Sequence, residues 1–395
     1  MASFDNVKNN NSLTFVDTKP HYALLDGLRG VAALLVVWYH IFEGYAFAGG
    51  IIVEVVNHGY LAVDFFFILS GFVISYAYDD RIGKKFTFNG LLKRRLIRLH
   101  PMVIMGALIG TVAYCIQGRM QWNGTQVPFH IIIGSLLLGL FFIPILPKSI
   151  YDVRGNGEMF PLNGPCWSLF FEYIANIVYA VLIHRFSNKV LTIWTILLGI
   201  GLAYFAIYDV VGYGCIGVGW TFDVVNLVGG LLRTLFSFSL GMLMARNFKA
   251  IKVRGAFWTC SIILVVLFHV PYIADSDGIN YNGLFEMLCI AIVFPILIWL
   301  GASGRTTDNM STKVCKFLGD ISFPVYIVHY PLMYLFYSWL IVNKLYTLYE
   351  TWQIVLIVMI GSIILAFLCL RFYDEPLRKW LLEKNKPEKF LLKRE

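Results

Sequence analysis

Two ionisable side chains lie in the first long apolar run of the chain. Arg29 and His40 belong to the stretch LDGLRGVAALLVVWYH, which looks like a membrane-spanning helix. An ionisable group in hydrocarbon costs at least about 2.5 kcal/mol, so such residues usually face a cavity or a protein partner. Eleven residues at about 100° each return to within roughly 20° of the same helix face. Both side chains are therefore predicted to look into one polar space.

A second interpretation of this pair stays open from the sequence. Arg29 can reach lipid headgroups with its long side chain, and His40 can hydrogen-bond to a neighbouring helix. Glu43 follows His40 by one helical turn. It either fixes the tautomer of the imidazole ring or is a surface charge near the membrane interface.

The composition indicates a polytopic membrane protein. Of 395 residues, 58% are hydrophobic and only 14% are charged, against about a quarter in soluble domains. One helical bundle is predicted rather than several soluble domains. The net charge of +8 does not indicate nucleic-acid binding, because lysine and arginine concentrate between the apolar runs, as membrane orientation requires. Seven cysteines without a CxxC or Cys/His cluster argue against a metal site.

Eleven apolar runs have nearly the length that a bilayer requires. They lie at about 24–47, 58–78, 101–117, 129–147, 165–184, 190–208, 224–245, 256–274, 283–301, 317–340 and 352–373. Lysine and arginine are abundant in 80–100 and 374–395 and absent from 48–57 and 209–223, which places the first two stretches in the cytoplasm.

This orientation leaves room for a single crossing between residues 100 and 148. The run 129–147 contains the helix-breaking Pro144 and Pro147, so it is predicted to be a re-entrant or interfacial segment. The predicted fold is an all-α bundle of about ten transmembrane helices with both termini in the cytoplasm. Its predicted parts are a disordered N-terminal tail (1–21), a membrane domain (22–373) and a basic C-terminal tail (374–395) that includes an interfacial helix.

A basic cluster precedes the third predicted helix. Lys93, Arg94, Arg95 and Arg98 are expected in the cytoplasmic loop that ends at Pro101. Such a cluster commonly anchors a protein to anionic lipid. It can also bind phosphate, because the arginine fork matches phosphate oxygens.

Six motifs occur in the order seen in the acyltransferase 3 family of integral-membrane O-acyltransferases, which the chain resembles from about residue 22 to residue 380. They are LDGLRG with the histidine that follows, GYLAVDFFFILSGFVIS, KRRLIRLHP, GPCWSLFFEY, SFPVYIVHYPL and YDEPLRKW.

The resemblance implies an enzyme that takes an acyl group, usually acetyl, from acyl-coenzyme A at the cytoplasmic side. The acceptor would be a hydroxyl of a cell-surface or lipid-linked glycan, and the enzyme would lie in the cytoplasmic membrane of a bacterium. The phosphorylated head of coenzyme A would rest on Arg94, Arg95 and Arg98, and its arm would pass Arg29 toward His40. No metal is expected, and a homo-oligomer or a periplasmic partner could complete the transfer.

Transfer to a sugar hydroxyl requires a base, and histidine has the ordinary pKa nearest to neutrality, so His40 is the predicted general base. Transient acylation of His40 is a second route that the sequence leaves open. Ser322, Tyr326 and His329 match a late pattern of the family and are expected to form a polar wall facing the first helix. His329 can instead be structural, bonded to a carbonyl that Pro331 frees.

The acceptor is expected to meet residues of two helices that enter from outside the cell. Asp64 and Glu172 supply carboxylates, Glu172 being the predicted catalytic one, and Trp167 supplies an aromatic platform, unless it belongs to the interfacial aromatic belt. Arg233, near mid-bilayer, is expected to pair with Asp64 or Glu172, or else to stabilise a developing oxyanion.

A transporter or polysaccharide flippase is the main rival function. In that case the same intramembrane groups would form a proton or substrate path. The lack of evident inverted repeats and the basic cluster favour the enzyme.

Overall fold

The computed structural model describes residues 22–50, 57–82, 87–272, 278–306 and 308–384. These residues form an all-helical bundle without a named strand. The predicted N-terminal tail and the last eleven residues of the predicted C-terminal tail lie outside the described residues.

Thirteen α-helices follow one another along the chain. They are α1 (Ala23–Gly49), α2 (Ala62–Tyr78, preceded by the 3-10 turn Gly59–Leu61), α3 (Phe88–Ile116), α4 (Phe129–Leu140), α5 (Cys166–Val181), α6 (Asn188–Ile207), α7 (Val224–Asn247), α8 (Ala256–Phe268), α9 (Tyr281–Leu288), α10 (Phe294–Ser303), α11 (Asn309–Asn343), α12 (Leu348–Cys369) and α13 (Glu375–Lys384). Short π-helical segments, Cys289–Val293 and Leu370–Asp374, join α9 to α10 and α12 to α13.

Eight helical segments of the described chain are long and apolar enough to cross a membrane, and α4, α5 and α8 are shorter apolar helices. Every predicted apolar run contains a helix, so the prediction of a multi-pass helical bundle is confirmed. The number of ten crossings and the cytoplasmic position of the termini stay predictions. We call the end where α1, α3 and α11 begin the basic end, and the opposite end the cavity end.

Helices α1 and α11 form the central pair of the bundle and run in the same direction. Gly27 lies against Cys315 and Gly44 lies against Tyr337, so contacts advance along both helices together. At Gly30 a side chain would overlap the backbone of Leu318. Small residues at such a contact let two helix backbones approach closely. This interface holds Arg29 and His40.

Helices α2 and α7 make the second close pair. Gly71 faces the carbonyl of Phe238, and Gly241 faces the carbonyl of Ile68, with no room for a side chain at either glycine. At the basic end, Arg246 Nε donates to Asp79 Oδ2 over 2.7 Å. The pair forms a rigid wall beside the first helix.

Helix α3 begins well before the predicted residue 101. Thr87 caps it by accepting a hydrogen bond from the backbone N–H of Gly90 at 3.2 Å. The basic cluster is therefore helical and not a loop, and Pro101 lies inside the helix. The prediction was wrong here because it counted only uninterrupted apolar residues, whereas a membrane helix can extend beyond the hydrocarbon with charged turns.

Residues 118–165 double back along α3, and we call them the re-entrant segment. Near its start, the N–H of Val127 donates to the carbonyl of Arg119 (2.8 Å), and further on Tyr114 donates to the carbonyl of Val153 (2.5 Å). Between these points, the carbonyl of Leu140 meets the ring of His100, much nearer the basic end (3.0 Å). Helix α4 spans about 18 Å at 1.5 Å per residue, less than the roughly 30 Å of the hydrocarbon core. The segment thus begins and ends toward the cavity end of the bundle, and the re-entrant or interfacial position of 129–147 in the membrane stays a prediction.

Candidate active site

A cavity of about 920 Å³ lies at the cavity end of the bundle. Its walls come from α1, α5, α7 and α11, from the re-entrant segment and from the loop 209–220. The lining combines many aromatic rings with a few polar groups, as in ordinary small-molecule sites. His40, Trp167, Tyr326 and Arg233 all line it.

His40 and Glu43 form a hydrogen-bonded dyad on the cavity wall. Nδ1 of His40 lies 2.6 Å from Oε2 of Glu43, and the His40 side chain is 15% exposed. A carboxylate accepts hydrogen bonds, so it holds the proton on Nδ1 and leaves the lone pair on Nε2. Among the described residues, Nε2 has no hydrogen-bond partner. This is the arrangement of a general base with an orienting acid.

Tyrosine hydroxyls fix the acidic partner. The hydroxyl of Tyr337 lies 2.9 Å from Oε2 of Glu43 and 2.7 Å from the carbonyl oxygen of His40. Tyr39 donates to Oε1 of Glu43 over 3.4 Å. These contacts hold Glu43 against the imidazole ring of His40. Of the two roles considered from the sequence, they favour orientation of the ring over a surface charge.

A stripe of tyrosines on α11 forms the wall opposite α1. The tyrosine stripe consists of Tyr326, Tyr330, Tyr334 and Tyr337, spaced four, four and three residues apart, and all four line the cavity. This spacing puts them on one helix face. The ring of Tyr330 packs edge-on against the His40 ring, with centroids 4.7 Å apart. Only Tyr326 was singled out from the sequence, although the helical spacing was visible there.

His329 lies beside His40 and is fully buried. The two ring centroids are 5.3 Å apart. Nδ1 of His329 donates to the carbonyl of Val325 at 2.9 Å, and Nε2 has no partner among the described residues. Pro331 has no N–H, so the carbonyl that it frees is that of Ile327, four residues earlier. His329 donates to Val325 instead, so the predicted carbonyl is not the acceptor.

Arg29 lies on the same side of α1 as His40 but closer to the basic end. Its Nε donates to Oγ of Ser322 at 2.9 Å, and its Nη2 lies 3.0 Å from Asp26 Oδ1. Arg98 and Glu172 are also within electrostatic range. Arg29 and Ser322 face each other across the α1–α11 interface and do not line the cavity. Arg29 and His40 therefore both face α11, but the cavity includes only His40, so the prediction that they look into one space was wrong for this cavity.

Glu172 and Trp167 do not share one platform. Trp167 lines the cavity, whereas Oε1 of Glu172 accepts a hydrogen bond from Ser70 at 2.8 Å, outside the cavity lining. Five residues turn a helix by about 500°, which leaves the two side chains about 140° apart. Glu172 instead interacts electrostatically with Arg29 and Arg95. The structure thus groups Glu172 with the arginines and not with Trp167.

Asp64 and Arg233 form a buried bidentate ion pair. Arg233 Nε lies 2.8 Å from Oδ1 of Asp64, and Nη2 lies 2.5 Å from Oδ2. A third bond runs from Nη1 to the carbonyl of Ile216 at 2.9 Å. Asp64 is fully enclosed and does not reach the cavity, whereas Arg233 touches it. Of the two partners considered for Arg233, Asp64 is the one found.

The basic cluster lies on the first turns of α3. Arg95 is buried, and its Nε has no hydrogen-bond partner among the described residues. Arg98 is exposed, and Arg94 is half-buried. Arg95 interacts electrostatically with Arg98 and Glu172. The cluster therefore offers an accessible cation backed by a buried one.

A polar group on the re-entrant segment was not predicted. Glu158 lines the cavity, where its carboxylate accepts hydrogen bonds from the Tyr334 hydroxyl and from the amide of Asn156, the latter over 2.7 Å. The backbone of Glu158 forms an isolated antiparallel β-bridge with Thr221, which lies in the loop before α7. Burial raises the pKa of Glu158 to about 7, although the charge of nearby Arg154 acts in the opposite direction.

Arg154 fastens the same loop to α11. Its guanidinium carbon lies 3.2 Å from the centroid of the Tyr334 ring, and its Nε donates to the carbonyl of Pro161 at 2.5 Å. Arg154 is 1% exposed and does not line the cavity. No periodicity in the sequence indicates this contact, because it joins a loop to a distant helix.

The described residues thus form an all-helical bundle with a histidine and carboxylate dyad on the wall of a cavity. The acyltransferase domain of the acyltransferase 3 family matches residues 22–371. The chain therefore belongs to the acyltransferase 3 family.

Two curated relatives illustrate the match. The chain is 24% identical over 379 residues to the O-acetyltransferase OatA of Staphylococcus aureus, covering 90% of this chain and 57% of that protein. It is 36% identical over 167 residues to protein 2 in the picA locus of Rhizobium radiobacter, covering 40% of this chain and 81% of that protein. The chain thus spans little more than half the length of the staphylococcal O-acetyltransferases that it matches. No solved structure matches the chain significantly.

Proposed function

We propose that this protein moves an acyl group, most simply acetyl, from acyl-coenzyme A to a hydroxyl of a cell-surface or lipid-linked glycan, with His40 as general base. The observation that carries the proposal is the dyad of His40 and Glu43, whose free ring nitrogen belongs to a cavity wall. The relatives named O-acetyltransferases support the acyl class and the oxygen acceptor.

In the proposed reaction, Nε2 of His40 takes the proton from the acceptor hydroxyl as its oxygen attacks the thioester carbonyl. The imidazolium that forms is stabilised by the charge of Glu43. Collapse of the tetrahedral intermediate breaks the carbon–sulfur bond, and the departing thiolate takes the proton back from His40. The products are the O-acyl glycan and free coenzyme A.

Acylation of His40 itself remains an alternative route with the same residues. The imidazole would attack the thioester first and pass the acyl group to the sugar in a second step. Ping-pong kinetics would support this route, and a ternary-complex pattern would support direct transfer.

The proposed donor site lies at the basic end, which the distribution of positive charge assigns to the cytoplasm. Arg94 and Arg98 offer charge to the phosphates of coenzyme A, while Arg95 and Glu172 hold the cluster in place. The acyl arm would then pass Arg29 toward His40. Tyr326 and Trp167 line the cavity where the acceptor would arrive, and His329 and Ser322 support the α11 wall.

We place the enzyme in the cytoplasmic membrane of a bacterium, with the acceptor reaching it from outside the cell. A second copy of the chain or a periplasmic protein is a possible partner in delivery of the acceptor. The lipid bilayer would surround the long apolar helices.

The test is acetyl transfer by purified protein in proteoliposomes with labelled acetyl-coenzyme A. We expect His40→Ala to abolish transfer and to leave coenzyme A binding largely intact, because the base is remote from the basic cluster. His130→Ala, an exposed histidine on α4, is the matched control and should behave like the wild type. Normal transfer by His40→Ala would overturn the assigned role, and a wild-type protein that ignores acetyl-coenzyme A would indicate a flippase.

A further inference from the structure

We infer that the acceptor is uncharged in the part that enters the cavity, and that Glu158 enforces this choice. The inference rests on the proposed function, since it describes the saccharide that His40 would acylate. It concerns a residue of the re-entrant segment that the proposed reaction does not use.

The charged groups of the cavity wall are few. We leave aside His40, the tyrosines and the cysteine of the described lining. The remaining ionisable side chains are those of Glu43, Glu158, Asp209 and Arg233. Three of the four are carboxylates. An entering ligand therefore meets a wall whose formal charge is negative.

The one guanidinium on this wall is already engaged. Arg233 donates to both oxygens of Asp64 and to the carbonyl of Ile216, with a longer contact to the carbonyl of Tyr60 at 3.4 Å. A carboxylate or phosphate on the ligand would have to break these bonds to gain a partner. An anionic group that enters without a cationic partner is therefore disfavoured relative to a neutral one.

Two of the carboxylates also have fixed partners. Glu43 holds His40, and Asp209 accepts hydrogen bonds from the backbone N–H groups of Tyr213 (3.1 Å) and Gly214 (2.9 Å). Asp209 therefore stabilises its own turn at the cavity rim. Glu158 differs in that both of its donors, Tyr334 and Asn156, are side chains of the cavity wall, so we assign Glu158 to the ligand.

Glu158 is suited to bind a hydroxyl. Each carboxylate oxygen can accept more than one hydrogen bond, and the bonds from Tyr334 and Asn156 leave lone pairs for sugar hydroxyls. Two ring contacts connect it to the reaction centre, because the Tyr330 ring packs on His40 (4.7 Å) and on Tyr334 (4.6 Å). An oligosaccharide that follows these rings can thus contact Glu158 with one sugar unit while a hydroxyl of another unit meets His40.

The remaining surface suits the apolar faces of a sugar. Trp122, Trp167 and Trp220 line the cavity together with the tyrosine stripe. Aromatic rings with polar edges provide a large apolar surface and hydrogen-bonding tips at the same time. Carboxylate, indole and phenol groups together describe a site for a neutral, hydroxyl-rich ligand.

The experiment measures saccharide binding through the fluorescence of the cavity tryptophans, without coenzyme A, at pH 8, above the raised pKa of Glu158. The probes are a neutral hexose tetrasaccharide and a tetrasaccharide of the same linkage that carries uronic acids. We expect the wild type to bind the neutral probe about tenfold more tightly, because the uronates and the carboxylates of the wall repel each other. Glu158→Gln should narrow this ratio to about threefold or less, and Glu383→Gln, an exposed carboxylate on α13, should not change it.

Equal or tighter binding of the uronate probe by the wild type would overturn the inference, and so would failure of the neutral probe to bind. These two results need no variant and do not depend on the folding of Glu158→Gln. An unchanged ratio in a folded Glu158→Gln protein would remove Glu158 from the explanation. Binding of the neutral probe without acetyl transfer would contradict the proposed function and leave this inference standing.

Discussion

Replacement of Glu43 by glutamine tests the dyad most directly. Glu43 accepts the proton of His40 Nδ1 at 2.6 Å, and Tyr337 and Tyr39 hold the carboxylate in place. Glutamine has nearly the same shape but no charge. It can also turn its NH₂ group toward Nδ1, which would place the ring proton on Nε2, where the base needs its lone pair.

The size of the effect follows from the bond that is lost. A hydrogen bond to a charged group contributes about 1.5–3 kcal/mol. At about 1.4 kcal/mol per factor of ten, kcat should fall by about tenfold to 150-fold. The wrong tautomer would add to this loss, so we take about tenfold as the minimum. KM for the acyl donor should change little, because the dyad is remote from the basic cluster.

The assay is steady-state acetyl transfer in proteoliposomes, with kcat and KM measured over a range of pH. Tyr337→Phe is the comparison variant, because it removes the hydroxyl that contacts Glu43 and the His40 carbonyl and keeps the charge beside the ring. We expect a smaller loss of kcat than for Glu43→Gln, because His40 keeps its charged partner. A kcat for Glu43→Gln within twofold of the wild type would refute the dyad, as would a loss confined to KM.

Two further predictions concern packing and the donor site. Gly71→Ala should destabilise the α2–α7 contact by about 1–3 kcal/mol and lower the thermal unfolding midpoint in detergent, because the added methyl meets the Phe238 carbonyl. The control is Gly361→Ala, which has open space and should leave the midpoint unchanged or raise it. Equal midpoints for the two variants would contradict the close crossing. The double variant Arg94→Ala and Arg98→Ala should weaken coenzyme A binding in calorimetry by about tenfold or more. Lys189→Ala is its exposed control, and unchanged binding by the double variant would move the donor site elsewhere.

The helical bundle could be predicted because two strong signals act on single segments. Apolar runs of sufficient length must form helices in lipid, since backbone groups have no other partners there. The prolines of the run 129–147 indicated where the chain turns back. The start of α3 could not be found in this way, because the turns that carry Arg94 and Arg95 look like a loop by hydropathy.

The sequence could predict which candidate site residues lie on the same face of one helix. Arg29 and His40 share a face because of their spacing, and the structure turns that face toward α11. Helical phase also separates Trp167 from Glu172, which proximity along the sequence had suggested to be neighbours. Ring contacts between helices, such as that of His40 with Tyr330, depend on which helices pack together.

Contacts of the re-entrant segment were beyond reach of the sequence. Glu158 meets Tyr334 only because Arg154 fastens an irregular loop to a helix far along the chain. No hydrophobic period or residue spacing in the sequence predicts the contact of Glu158 with Tyr334. The same holds for Arg233, whose partner had to be chosen between two carboxylates and was settled by three-dimensional packing.

The re-entrant segment also bears on how such enzymes diversify. Residues 118–165 begin and end at the same end of the bundle. Insertions or substitutions in them therefore leave the direction of every later helix unchanged. If the proposed function holds, changes in this segment would alter which acceptor fits the cavity and would leave the packing of α1 against α11 around His40 in place.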